Sequence, residues 1–217
     1  MCKMIELSQP KGQFLSTRDQ ITIDLIKQGE DFIKEFDINH GLLIDTVTII
    51  YKYLKQIDTF PQNLFKFYIA ALYISERHPK AFPKHEKKEN FCRKFGIKQS
   101  SLEYSVKKIV GTLEYITILD DMNYPYYIDP ENDIGYKLMK NVVKKGTDKA
   151  IMNFFLNHQP INSQILAEDL TNRVINQMGL FPEELFRQFF TLIYEMVEEQ
   201  LQELYYNYVD LQKKYFI

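Results

Sequence analysis

Apolar residues recur at helical spacing along most of this chain. Ile21, Leu25, Phe32 and Ile33 mark a first helix from near Arg18 to about Phe36, with Ser16 or Thr17 placed to cap it. Beyond a turn at residues 37–41, Leu42, Leu43, Val47, Ile50, Tyr51 and Leu54 make one broad stripe on a second helix. The run Asp58-Thr59-Phe60-Pro61 breaks that pattern. Pro61 then suits the first turn of a third helix, predicted to reach Arg77. Its centre, Phe65 to Ile74, is apolar nearly all round apart from Lys66 and contains the small pair Ala70-Ala71. A helix with so little polar face belongs in the middle of a bundle.

Pro79 and Pro83 bracket the next loop. A fourth helix is predicted from about Lys84 to Phe95, stopped by Gly96. A fifth begins after Gln99, with Ser100 and Glu103 spaced as a capping box, and runs to about Leu113. Its inner face is Leu102, Val106, Ile109 and Leu113. Residues 118–132, with Asp120, Asp121, Pro125, Asp129 and Pro130, read as a connection. Helices follow near 132–145, 147–157, 161–178 and 182–214, the last with apolar residues from Leu185 to Tyr215 at spacings of three to five. No segment alternates over more than a few residues, so no strand is predicted. The expected fold class is all-α. A five-helix bundle at 16–117 follows an N-terminal arm (1–15), and a connection at 118–132 leads to a second helical region at 133–217.

With 45% hydrophobic and 26% charged residues, the composition excludes a disordered chain. Two cysteines, Cys2 and Cys92, exclude a disulfide framework. No apolar signal core or membrane-length apolar window occurs, which points to a cytoplasmic protein with no membrane partner, or a nuclear one in a eukaryote. The net charge of −2 argues against a wholesale nucleic-acid binder. Its distribution changes that picture. Residues 78–110 carry nine Lys/Arg against three Asp/Glu, whereas residues 111–217 carry nine against sixteen. A basic middle beside an acidic second half suggests faces that meet different partners.

That basic block coincides with the fourth and fifth helices, a short helix, a turn with glycine and a second helix, which is a helix-turn-helix arrangement. Lys84, Lys87, Lys88, Arg93, Lys94 and Lys98 fall on the first helix and turn. Ser100, Ser101, Glu103, Tyr104, Lys107 and Lys108 fall on the outer face of the second, and Gln99 just before it joins the DNA-binding candidates, which leave out Glu103. Lys and Arg would neutralise phosphates of duplex DNA, while Ser, Gln and Tyr would meet base edges or sugars. A solvated helix face and contact with an acidic protein are the competing readings. His78, His85 and Cys92 are spaced by seven but have no fourth ligand, so no metal is expected. Asp120-Asp121 and Asp129-Glu131-Asp133 lack the glycine and spacing of a calcium loop. With no phosphate loop, nucleophile elbow or oriented Cys/His pair, no catalytic residue or cofactor is assigned and a non-enzymatic protein is expected. The last helix carries Glu195, Glu198, Glu199 and Glu203 beside its apolar stripe. It reads as a core helix with a wet side, or as one whose segment from Leu201 to Phe216 docks on a partner or a second copy.

The stretch Ile69-Ala70-Ala71-Leu72-Tyr73-Ile74-Ser75-Glu76-Arg77 resembles the central-helix signature of the cyclin box, as in the core repeats of transcription factor IIB and its archaeal counterparts. Asp45-Thr46-Val47 with Ile49-Ile50-Tyr51 is similar to the second helix of such a repeat. Phe91 to Ile97, with Ser101-Leu102 through Val106-Lys107-Lys108, is similar to its helices four and five. The resemblance covers residues 20–117. No zinc ribbon precedes it and no second copy of the signature follows, so residues 133–217 are either a much-altered second box or an unrelated helical extension. The resemblance implies a protein that engages promoter DNA through helices four and five and a transcription partner through other faces. The alternative it leaves is a cyclin-like adaptor that grips a protein such as a kinase and has no nucleic-acid role. A third option is a helical enzyme or ligand-binding regulator with its pocket between the two halves.

Overall fold

The computed structural model describes residues 16–82 and 86–215, with side chains described through residue 204. The predicted arm, Met1 to Leu15, lies outside the described residues, as do Lys84 and His85. The first helix, α1 (Thr17–Lys34), is capped by Ser16, whose hydroxyl accepts from the Asp19 amide at 3.1 Å. Helix α2 (His40–Gln56) starts from an Asn39 cap. Helix α3 (Leu64–Ser75) begins three residues later than expected. Pro61 stays in the loop because the Asn63 side chain takes the capping position, accepting from the Lys66 amide.

All eight residues from Phe67 to Ile74 are buried. Helices α1 and α2 pack on them, together with α5 (Gln99–Thr112). The short α4 (Lys88–Lys94) reaches them through Phe91, edge-on to Tyr73 at 5.0 Å. Gly29 on α1 permits the closest approach. A Cβ there would fall 1.7 Å from the Tyr68 ring, whose hydroxyl donates to the Leu25 carbonyl. The expected capping box is absent. Helix α5 starts at Gln99 after Lys98, whose ammonium can accept no hydrogen bond. Ser100 thus falls inside the first turn instead of capping it, and Glu103 bridges to Lys88 at 2.8 Å.

The segment expected to be a plain connection (118–132) contains one strand and most of a hairpin that starts two residues earlier, inside the expected bundle: β1 (Ile116–Leu119) pairs antiparallel with β2 (Pro125–Ile128). The expectation of no strands is therefore corrected. Each strand has only four residues, too few for alternation to show in the sequence, but β-branched and aromatic side chains suit a pleated surface. Asp120 builds the turn between them, its carboxylate accepting from the amides of Met122 (2.9 Å) and Tyr124 (2.8 Å), and Asn123 takes a φ of 60°.

Because successive strand residues face opposite ways, the hairpin serves two cores. Tyr127 joins the cluster built around α3, whereas Ile118, Tyr126 and Ile128 join a second cluster. That second cluster is completed by α6 (Ile134–Asn157), α7 (Ser163–Asn172) and α8 (Phe186–Tyr215). Two helices expected at 132–145 and 147–157 are one continuous α6, since Gly146 sits against Leu170 of α7 instead of breaking the helix. A π-helical turn (Arg173–Gln177) ends the α7 segment, and a 3-10 turn (Glu183–Leu185) leads into α8. The fold is mostly helical, and among the described residues no helix is long and apolar enough to cross a membrane.

Candidate nucleic-acid interface

The α4–α5 pair is held by local geometry that its sequence dictates. Gly96 adopts a φ of +61°, which a residue without Cβ takes freely, and the turn closes with Ile97 N–H donating to Cys92 C=O at 3.0 Å. Phe91, Cys92, Phe95 and Ile97 are buried beneath the turn. Burial pushes the Cys92 thiol above its ordinary pKa, so this cysteine is a packing residue with little thiolate character. On α5, Leu102, Ser105, Val106 and Ile109 face inward, and Leu113 closes the same stripe one residue past the helix.

The outward face carries the candidate residues. Lys87, Arg93, Lys94, Lys98, Gln99, Ser100, Tyr104, Lys107 and Lys108 are exposed, and Ser101 is half-buried. Tyr104 is 60% exposed, unusual for a tyrosine, with the Lys108 ammonium 5.9 Å from its ring centroid. Lys88 differs from the rest. It bridges to Glu103, and its hydrogen bond and charge hold that carboxyl below the usual range, so this lysine braces α4 against α5. Among the described residues, none of the other basic candidates forms a salt bridge with a carboxylate.

Three residues adjoining this face carry no signal in the helical pattern: Gln62, Asn63 and Lys66. With Ser100, Ser101 and Tyr104 they line a cleft of about 450 Å³ between the start of α3 and the first turns of α5, and no carboxylate lines it. In the sequence they read only as the opening of the third helix.

The acidic clusters are occupied structurally. The Asp129 carboxylate receives Lys52 of α2, the Tyr115 hydroxyl at 3.2 Å and the amides of Glu131 (3.0 Å) and Asn132 (3.1 Å). Burial alone would raise its pKa, but these partners lower it below the usual value. Asp133 caps α6 through the Tyr136 amide at 2.6 Å and meets His78 Nε2 at 2.8 Å. Its burial is outweighed in the same way, and its pKa is lowered. His78 Nδ1 accepts from the Lys80 amide, so in the neutral ring Nε2 bears the proton and donates to Asp133. These groups sit at a cleft of about 350 Å³ between α2, the end of α3 and the 129–133 loop, which Ile49, Ile74 and Tyr127 also line. Lys52, His78, Asp129 and Asp133 already pair with one another there.

In the sequence Arg77 marks the end of the third helix and of the central-helix signature, with no site role. It is buried, its guanidinium 4.2 Å from the centroid of Tyr73 and 5.7 Å from that of Tyr124, and it donates to the Glu86 carbonyl at 2.6 Å. Its own carbonyl accepts from the Tyr127 amide at 2.8 Å, tying β2 to the loop after α3. No protein-family model and no curated protein matches this sequence.

Proposed function

We propose that the chain is a non-enzymatic, cyclin-box-like protein, related to the core of transcription factor IIB, that binds duplex DNA through α4 and α5. The observation that carries this reading is the outer face of that pair. Lys87, Arg93, Lys94, Lys98, Lys107 and Lys108 are exposed and lack carboxylate partners among the described residues, beside the polar side chains of Gln99, Ser100, Ser101 and Tyr104. The cyclin-box half of the reading is supported by a helix α3 that is buried over eight consecutive residues beneath neighbouring helices. Lysines on such a face position a duplex by neutralising phosphates, and the short polar side chains supply the groups that reach bases.

The test is fluorescence anisotropy with a labelled duplex across a salt series. Six phosphate contacts give a log K against log salt slope of about −5. Changing Lys94, Lys107 and Lys108 together to Glu is expected to abolish binding while leaving the circular dichroism unchanged. Unaltered affinity in that folded variant rejects the proposal.

A second reading, a cyclin-like adaptor for a protein partner such as transcription machinery or a kinase, is favoured by a different region. Phe154, Phe155, Leu201 and Leu204 line an apolar cleft of about 700 Å³ near the end of α6, and Met152 and Leu156 nearby are 60% and 72% exposed. An exposed apolar patch of this kind is the ordinary mark of a protein contact. Negligible duplex binding at physiological salt, together with a stable complex in a pull-down, decides for the adaptor.

A further inference from the structure

Helix α6 has a second cationic face that the charge balance of its half conceals. Its buried stripe is Tyr136, Met139, Val143 and Thr147, at the spacing of one helix face. Around the rest of the helix Lys137, Lys140, Lys144, Lys145 and Lys149 are all exposed, Lys140 flanking the stripe with its ammonium 5.9 Å from the Tyr136 ring centroid, and Asp148 is the only carboxylate on the helix. Outside α6, residues 111–217 hold four Lys/Arg against fifteen Asp/Glu. Lysine enrichment across the chain therefore does not account for this placement.

The arrangement works against the stability of the helix. Lys137 stands in the first turn, where the positive end of the helix dipole disfavours a cation. Lys140 and Lys144, and Lys145 and Lys149, are like charges four residues apart and repel one another. Lys34, Lys52 and Lys88 all have carboxylate partners, whereas among the described residues none of these five does. Local conflicts of this sort concentrate where a surface serves a ligand.

We infer that the lysine face of α6 is a second contact for duplex nucleic acid, binding the phosphate backbone without reading sequence. Phosphates suit it because the face is charge without an anchor. Between Lys137 and Lys149 the only exposed large apolar residue is Leu138, and protein interfaces centre on buried apolar or aromatic anchors. A lipid surface would need an apolar stripe running beside the lysines, but between Lys137 and Lys149 the stripe of α6 is spent on the core, and the exposed Met152, Phe154, Phe155 and Leu156 lie beyond Lys149. The inference shares the nucleic-acid reading given for α4 and α5 only in the kind of ligand, since it rests on a different helix.

The experiment uses the full chain and the same labelled duplex. Changing Lys137, Lys144 and Lys145 to Gln, with folding checked by circular dichroism, is expected to flatten the salt slope by about 2.7 and to weaken binding at least about tenfold at low salt. The corresponding triple Arg variant, which keeps the charge, retains wild-type binding. A wild-type slope and affinity in the Gln variant overturns the inference. So does the absence of duplex binding by the wild-type chain, including the case in which it binds only phosphatidylserine vesicles. If the Gln variant on α6 loses affinity while the Glu variant on α4 and α5 does not, this inference stands and the proposed role of α4 and α5 falls. The reverse result leaves that role standing and removes this one.

Discussion

In the first helical unit eight consecutive residues of α3 are buried, whereas no helix of the second has more than two adjacent buried positions among its described residues. The two units therefore solve the same packing problem differently. Around α3, each neighbour gives one face to a helix that is apolar on all sides, and its outer face is left for other chemistry. In the second unit α6, α7 and α8 meet stripe to stripe. Each keeps a full wet face, which on α6 is lysine-rich and on α8 includes Glu195, Glu199 and Glu203. Where a unit has a dedicated central helix, single core contacts are concentrated there. Where it has none, they are spread over several shallower seams.

The largest expected effect tests that contrast directly. Leu72→Ala in α3 should cost about 5 kcal/mol, near the top of the range for such truncations, and Leu170→Ala in α7 nearer about 3 kcal/mol. Urea denaturation of each variant measures both, and equal losses would remove the special standing of α3. Next in size is Gly29→Ala. Its new methyl collides with the Tyr68 ring, at an expected cost of about 1–3 kcal/mol. Shortening the partner with Tyr68→Leu should recover part of that loss, a coupling of about 0.5 kcal/mol or more in a double-mutant cycle. Simple additivity would mean that α1 moves aside at little cost.

The smallest effect lies between the units and depends on pH. Asp129 and Asp133 bridge to α2 and to the loop after α3, and both carboxyls titrate below their ordinary range in the folded chain. A depressed folded pKa gives stability that is complete above the unfolded value of about 4 and is lost as pH falls through the lowered value. Thermal melts should therefore show stability declining below about pH 4. In a double Asp129→Asn, Asp133→Asn variant, lower in stability at neutral pH, the decline should be shallower. An acid limb of unchanged steepness in that variant would show that these carboxylates do not couple the units.

Much of this arrangement was legible beforehand. The inward stripe Leu102, Val106, Ile109 and Leu113 was visible because helical spacing alone puts those residues on one side. The stop at Gly96 was visible because only glycine adopts that backbone angle without strain. The hairpin was not. Its four-residue strands gain their meaning from two cores on opposite faces, and neither core is local to the strands. The predicted capping box is absent because α5 begins at Gln99, which puts Ser100 inside the helix, and the pairing of Glu103 with Lys88, fifteen residues away, was equally invisible to local pattern.

The basic α4–α5 face illustrates the division. Residue order by itself determined that Lys94, Lys107 and Lys108 would lie on the outer faces of α4 and α5, because charge and helical period are both local properties. Tertiary structure alone decided that Lys88 would be a brace and that Gln62, Asn63 and Lys66 would line the cleft beside Ser101. It also decided that the charges of α6 would all face outward. Those outcomes depend on which distant groups come within a few ångströms. Local periodicity carries no information about such distances.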